Sequence, residues 1–134
     1  MSMKETTYGA VKDIRIASEV AVEFPCIVGN TGISAVDGKK IIKAGTPIGA
    51  GSAISASTDV LRNRQVVLQQ DTANAQGVIL HDTDVTDGNA NATIMVSGYV
   101  DYLKLDESVR TLVDTAYGEF NNANANLKFV KGRE

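Results

Sequence analysis

The chain has 134 residues, 43% of them hydrophobic and 5% aromatic, with no Trp and a formal net charge of −3. This length supports one domain with a core of its own, filled by Val, Ile, Leu and Ala, residues that suit thin β layers. A mildly acidic balance without a Lys/Arg cluster lacks the electrostatic footprint of nucleic-acid binding, and Cys26, the single cysteine, excludes both an intrachain disulfide and a Cys-based zinc site.

Residues 1–13 are polar and have no periodic apolar face, so they read as a flexible N-terminal arm, loose unless something pins it. Residues 14–134 read as a single β-rich domain. Between Asp13 and Phe24 the apolar residues Ile14, Ile16, Val20, Val22 and Phe24 fall on even positions, and Arg15, Glu19 and Glu23 on the other face. That period of two predicts a strand. Pro25 is expected to break its ladder. Turn signals follow at Gly29-Asn30, Thr31-Gly32 and Asp37-Gly38, with short strands between them. Ile41 and Ile42 lead into Gly45-Thr46-Pro47-Ile48, an extended edge or a turn because Pro47 fixes its own φ and extends Thr46. The small-residue stretch from Gly49 to Thr58 reads as a loop, and Val66 to Leu68 as an apolar cluster.

Gly77 to Leu80 and Ala92 to Val96 flank a polar stretch and predict a hairpin. The apolar set then moves from Val100 to odd positions at Leu103 and Leu105, and Gly98 is the natural place for a bulge that would cause the change. Asp106 can cap a helix, Glu107 suits its positive end, and Val109, Leu112, Val113, Ala116 and Phe120 recur at helical spacing. One short C-terminal helix is predicted, covering one opening of the β core and ended by the Asn-rich run 121–126. A last strand spans Leu127 to Lys131. The expected fold is mostly β, a small barrel-like or sandwich-like body with that one helix.

Candidate chemistry is thin. The loop His81-Asp82-Thr83-Asp84-Val85-Thr86-Asp87-Gly88 invites a calcium reading, but an EF-hand needs an acid or amide at position 5 and Gly at 6. Counting from Asp82 puts Thr86 and Asp87 there. His81 is the only histidine, so any triad would have to pair it with Cys26 or a serine, and no GxSxG elbow is present. The glycines from Gly45 to Gly51 match neither a P-loop nor a dinucleotide fingerprint, since the chain has Ala50 and Gly51 where a P-loop needs Gly and Lys. No enzyme activity, metal or cofactor is expected. No run reaches the ~18 apolar residues of a membrane span and MSMKETTYG lacks a signal-peptide core. Synthesis in a reducing cytoplasm, with neither nucleic acid nor membrane as partner, is the corresponding expectation.

The order of features carries more than any single motif. A polar arm is followed by Ala44-Gly45-Thr46-Pro47-Ile48, by Gly77-Val78-Ile79-Leu80, by an acidic hairpin, by Ser97-Gly98-Tyr99-Val100, and by a short helix and a final strand. Over residues 44–131 this order resembles the head-decoration proteins of tailed bacteriophages, the family typified by the phage lambda decoration protein. Those proteins pair a GTPV-like stretch with a GIL-like strand and an SG-containing strand. The resemblance implies a structural virion protein on the outer surface of an expanded capsid, trimeric at threefold or quasi-threefold positions. Its partners would be the major capsid protein and itself. It also implies an N-terminal arm ordering against the shell, for which Lys4, Glu5, Thr6, Thr7, Tyr8, Val11, Ile14 and Ile16 are the candidate contacts. The residues of the trimer interface are not specified. Two other readings stay open: a fibre base or tail component, and a small ligand-binding or enzymatic β domain using the His81 to Asp87 loop.

Overall fold

The computed structural model describes residues 13–124 and 126–131. Nine strands are present among them: β1 (Arg15–Ile16), β2 (Val22–Val28), β3 (Ile41–Ile42), β4 (Pro47–Gly49), β5 (Val67–Gln70), β6 (Ala75–Ile79), β7 (Thr83–Asp84), β8 (Ala90–Asp101) and β9 (Leu127–Val130). Two helices, α1 (Glu107–Thr115) and α2 (Tyr117–Ala123), lie between β8 and β9. The mostly β expectation is met, with two helices in place of one.

β8 organises the fold. Its first part pairs with β2 and with β6, β6 pairs with β4, β4 with β5, and β5 returns to β2, so the pairings of a mixed sheet form a closed circuit. The β2–β5 pair is parallel and the other four are antiparallel. The second part of β8 leaves this circuit and is flanked by β1, antiparallel, and β9, parallel. β3 and β7 make a separate two-stranded sheet.

Two apolar clusters result. Cys26, Val28, Ile48, Leu68, Ile79 and Ile94 pack with Ile42 of β3 and with Val60 and Val85 from the loops. Val78, Met95, Val100 and Leu127 pack with Ile14, Leu105 and the helix residues Val109, Val113 and Phe120. Val78 stands opposite Met95 and Ile79 opposite Ile94. β6 and β8 therefore form a wall with a core on each side. This explains why every residue of β6 is buried and why Gly77 to Leu80 reads as a continuous apolar run rather than an alternating one. The helices cover the face of this wall opposite the first cluster.

Four local expectations are corrected. The predicted strand from Asp13 to Phe24 is interrupted: Ala17 is left-handed at φ 55°, and a 3₁₀ turn over Ser18–Val20 follows. The period of two is lost there, so Val20 and Val22 point outward, 51% and 43% exposed. Pro25 does not end β2. It stands opposite Thr93, whose carbonyl accepts from Leu80 N–H on the β6 side. The Thr93 backbone thus faces away from β2 and the missing proline N–H costs no ladder bond. Pro47 begins a strand enclosed by β5 and β6, not an edge. The parity change near Gly98 has another origin: β8 ends at Asp101, and a 3₁₀ turn over Tyr102–Lys104 sets Tyr102 and Leu105 inward at a spacing of three. A register shift does occur in β8, between Met95 and Ser97 rather than at Gly98.

At α1, Asp106 accepts from Ser108 N–H as the cap predicted for it. The helix stops after Thr115 and restarts at Tyr117 across Ala116, at φ −115°. Thr115 and Gly118 are poor helix residues, and the break turns Phe120 into the core, edge-on to Phe129 with centroids 5.2 Å apart. Asn124 ends α2 and is buried, its side-chain amide donating to the carbonyls of Gln76 and Val96.

Candidate functional site

The acidic loop is built as a strap. Thr83–Asp84 pairs with Ile41–Ile42, Val85 is fully buried, and its carbonyl accepts from Asn30 Nδ2 at 3.1 Å. Asp82 Oδ1 accepts from Ala44 N–H at 2.7 Å, Asp84 Oδ1 from Thr86 N–H at 2.9 Å, and Thr86 Oγ1 from Lys40 N–H at 2.8 Å. Hydrogen bonding from Thr86, with a weaker attraction from Lys39, holds the Asp84 carboxyl below the ordinary carboxylate range. Asp82 thus satisfies a backbone donor in the segment the strap covers, and Asp84 one within the strap itself. Among the described residues no group of three or more His, Cys, Asp or Glu side chains is placed to hold a metal ion.

His81 and Cys26 are in different environments. His81 is exposed, whereas Cys26 is buried with the first apolar cluster and burial pushes its thiol up to about 11. A thiol held neutral in this way is a poor nucleophile.

The glycines of the Gly45 to Gly51 stretch serve close packing. Gly45 has φ +91°, and a Cβ there would stand 2.4 Å from Leu105 Cδ2. Gly45 N–H donates to the Ile79 carbonyl and Gly51 N–H to Asp71 Oδ2 at 2.8 Å. Neither donor is open to a phosphate. Gly77 likewise sits against β8, where a Cβ would meet the Met95 carbonyl oxygen at 2.4 Å.

The clefts among the described residues include three of similar size. One of about 350 Å³ lies among Ile33, Val36, Ile41, Lys43, Val109 and Leu112, with Lys43 its single charged side chain. A second, about 250 Å³, has Asp59 as its only charge, and a third, about 340 Å³, has Lys128. The second and third share Ser97 and Asn126. Each cleft has one charged group, so none of them pairs an acid with a base for proton transfer.

Of the arm residues, Lys4, Glu5, Thr6, Thr7, Tyr8 and Val11 lie outside the described residues. Ile14 is fully buried in the helix-covered core and offers no side-chain surface to a partner, which corrects its place among the contact candidates. Ile16 is half-buried in β1 opposite Tyr99. Asp13, assigned to the arm, is fastened to the body. Its carboxylate receives Arg15 N–H at 3.0 Å, Arg15 Nε at 2.9 Å and Arg15 Nη2 at 3.1 Å. The same guanidinium reaches Glu23 Oε2 at 2.7 Å, and Lys104 Nζ donates to the Asp13 carbonyl at 3.3 Å. Hydrogen bonding from Arg15 lowers the Asp13 carboxyl to about 2.

Sequence patterning missed two features. Gln76 is buried and joins the long loop to β6, accepting from Val60 N–H at 2.7 Å and donating to the Thr58 carbonyl at 2.6 Å. Exposed Tyr99, Val20 and Val22 form the other. A Gln directly before the apolar run Gly77 to Leu80 was the available signal for the first. The second had none, because the turn at Ala17 is not encoded by a turn residue. No protein-family model, no curated protein and no solved structure matches the chain.

Proposed function

We propose that this protein is a structural component of a phage head, a decoration protein that binds the outside of the expanded capsid, as a trimer at threefold or quasi-threefold positions, and stabilises it. The observation that carries this reading is the way its three motif segments meet. Gly45-Thr46-Pro47-Ile48, Gly77-Val78-Ile79-Leu80 and the strand containing Ser97-Gly98 are far apart in sequence but lie on consecutive strands in the order β4, β6, β8. The first two are joined directly, Gly45 N–H to the Ile79 carbonyl and Ile79 N–H to the Thr46 carbonyl. The segments that resemble the family in order thus form one connected unit in this chain, which supports reading them together. The carboxylates of Asp82 and Asp84, tied to backbone donors, favour this reading over a ligand site in the His81 to Asp87 loop.

A protein that binds only the expanded shell stabilises it by mass action, and three linked attachments make weak contacts durable. Catalysis is not required for that role. The test is to heat expanded, undecorated capsids with increasing protein: the disruption temperature should rise with concentration and saturate. Absence of any rise would count against the role.

A further inference from the structure

We infer that the outer side of β8 is a head-to-tail contact between copies of this chain, in which the Leu61 flank of one copy meets the Tyr99 flank of the next. The inference deepens the proposed reading by giving its trimer a surface, and it rests on that reading for the number of copies. In the three-stranded unit β1–β8–β9, Val100 and Leu127 face the core. The other face is set by the register that places Tyr99 between Ile16 and Lys128. There Tyr99 is 46% exposed, and Lys128 is exposed beside it. Val20, in the same cleft as Tyr99, and Val22, opposite Ser97, extend this apolar surface. Across Ser97 and Asn126, which line both clefts, it continues to Ile54 and Leu61, 50% and 53% exposed. Exposed apolar side chains gathered on one side, rather than scattered singly, mark an interaction surface.

The charges identify the occupant. Asp59 is the charge in the Leu61 cleft and Lys128 the charge in the Tyr99 cleft. At the rim, exposed Arg62 follows Leu61 and exposed Glu19 precedes Val20. Each charge on one flank therefore has its opposite on the other, and a surface that carries its own complement suits a second copy of itself. Contact between two different patches is heterologous. Because these two adjoin along Ser97 and Asn126, each step turns sharply about the shared edge, which favours a small closed ring over an open filament. Two or three half-exposed side chains per flank fall well short of the roughly 800 Å² per partner of a standard interface. A single contact is therefore weak, and closure, which gives every copy two contacts, makes the ring durable.

The experiment uses the free full-length protein, so it can fail while capsid decoration stands, and succeed while decoration fails. Amide NMR spectra over a dilution series should show concentration-dependent shifts at Val20, Val22, Ile54, Leu61 and Tyr99 with one common Kd, and sedimentation should approach three copies at the highest concentration. Leu61→Asp and Val20→Asp damage one flank each at exposed positions. Each should fold as wild type and self-associate at least about tenfold more weakly, because the added carboxylate is buried against apolar side chains. Mixed in equal amounts, the two variants should regain a one-to-one contact, since each supplies the flank the other lacks. That recovery would not follow from misfolding. Wild type without concentration-dependent shifts, shifts confined to another surface, or variants that associate like wild type would overturn the inference. So would a mixture that regains no contact, or an assembly that stops at two copies.

Discussion

The loop at His81 to Gly88 and the segment entering β1 are both short and rich in carboxylates, and they use those carboxylates differently. In the loop, Asp82 and Asp84 each accept a backbone N–H, and the segment they fasten carries buried Val85 and Ala44. At the start of β1, Asp13 and Glu23 converge on one guanidinium that is partly open to solvent. A carboxylate that satisfies a backbone donor stabilises the fold itself. A pair of carboxylates on one exposed arginine mainly fixes geometry. The acidic loop, the most eye-catching cluster in the sequence, is therefore architecture, and the group around Arg15 orders the start of β1 at the surface.

This contrast can be sharpened by substitution. The largest expected effect is at Ile14→Ala, where deleting a fully buried side chain should cost about 2–5 kcal/mol in urea unfolding. Its folded fraction should bind capsids nearly as wild type, because Ile14 belongs to the core and not to the contact surface. Asp82→Ala comes next. It leaves the Ala44 N–H without its acceptor beside the core, and thermal unfolding should register a loss of about 1–3 kcal/mol with capsid affinity unchanged. Arg15→Ala should cost less, with a stability loss below about 1 kcal/mol in the same unfolding measurement. Should Arg15→Ala destabilise the fold as much as Asp82→Ala, the division of roles between the two regions would be wrong.

The smallest effect is in acid. Asp13 is lowered in the folded protein to about 2 from an ordinary 3.8, so the unfolded chain takes up its proton first as pH falls. The stabilisation is fully present above pH about 4 and is lost between there and pH about 2. Asp13 is exposed enough that this contribution is small, and the useful readout is NMR titration of its side-chain carboxyl. The midpoint should lie near 2 in the wild type and move up towards 3.8 in Arg15→Ala. An unmoved midpoint would mean that Arg15 does not hold Asp13 in solution.

Much of the fold was legible because its wall strands carry their own signals. Gly77 to Leu80 and Ala92 to Val96 do pair, and the helix after Asp106 starts where its cap and apolar spacing place it. What misled was local. Ala17 adopts a left-handed conformation that nothing about alanine announces, and so Val20 and Val22 changed faces. Pro25 carries the signal of a breaker, and its harmlessness depends on the direction of a backbone group on another strand, Thr93. The break between α1 and α2 depends on where Phe120 must go, a tertiary demand. Of the candidate site, the sequence offered residues 1–13 as a polar arm but not its fastening, since nothing in the spacing of Asp13, Arg15, Glu23 and Lys104 brings the last of these within reach. Only the return of β8 beside β1 does so.

The most direct test of the central claim is to image expanded, undecorated capsids incubated with purified full-length protein. The account predicts saturable added density on the outer surface at threefold or quasi-threefold positions. Bare threefold positions at saturating protein, or density confined to a tail vertex or fibre attachment point, would contradict it.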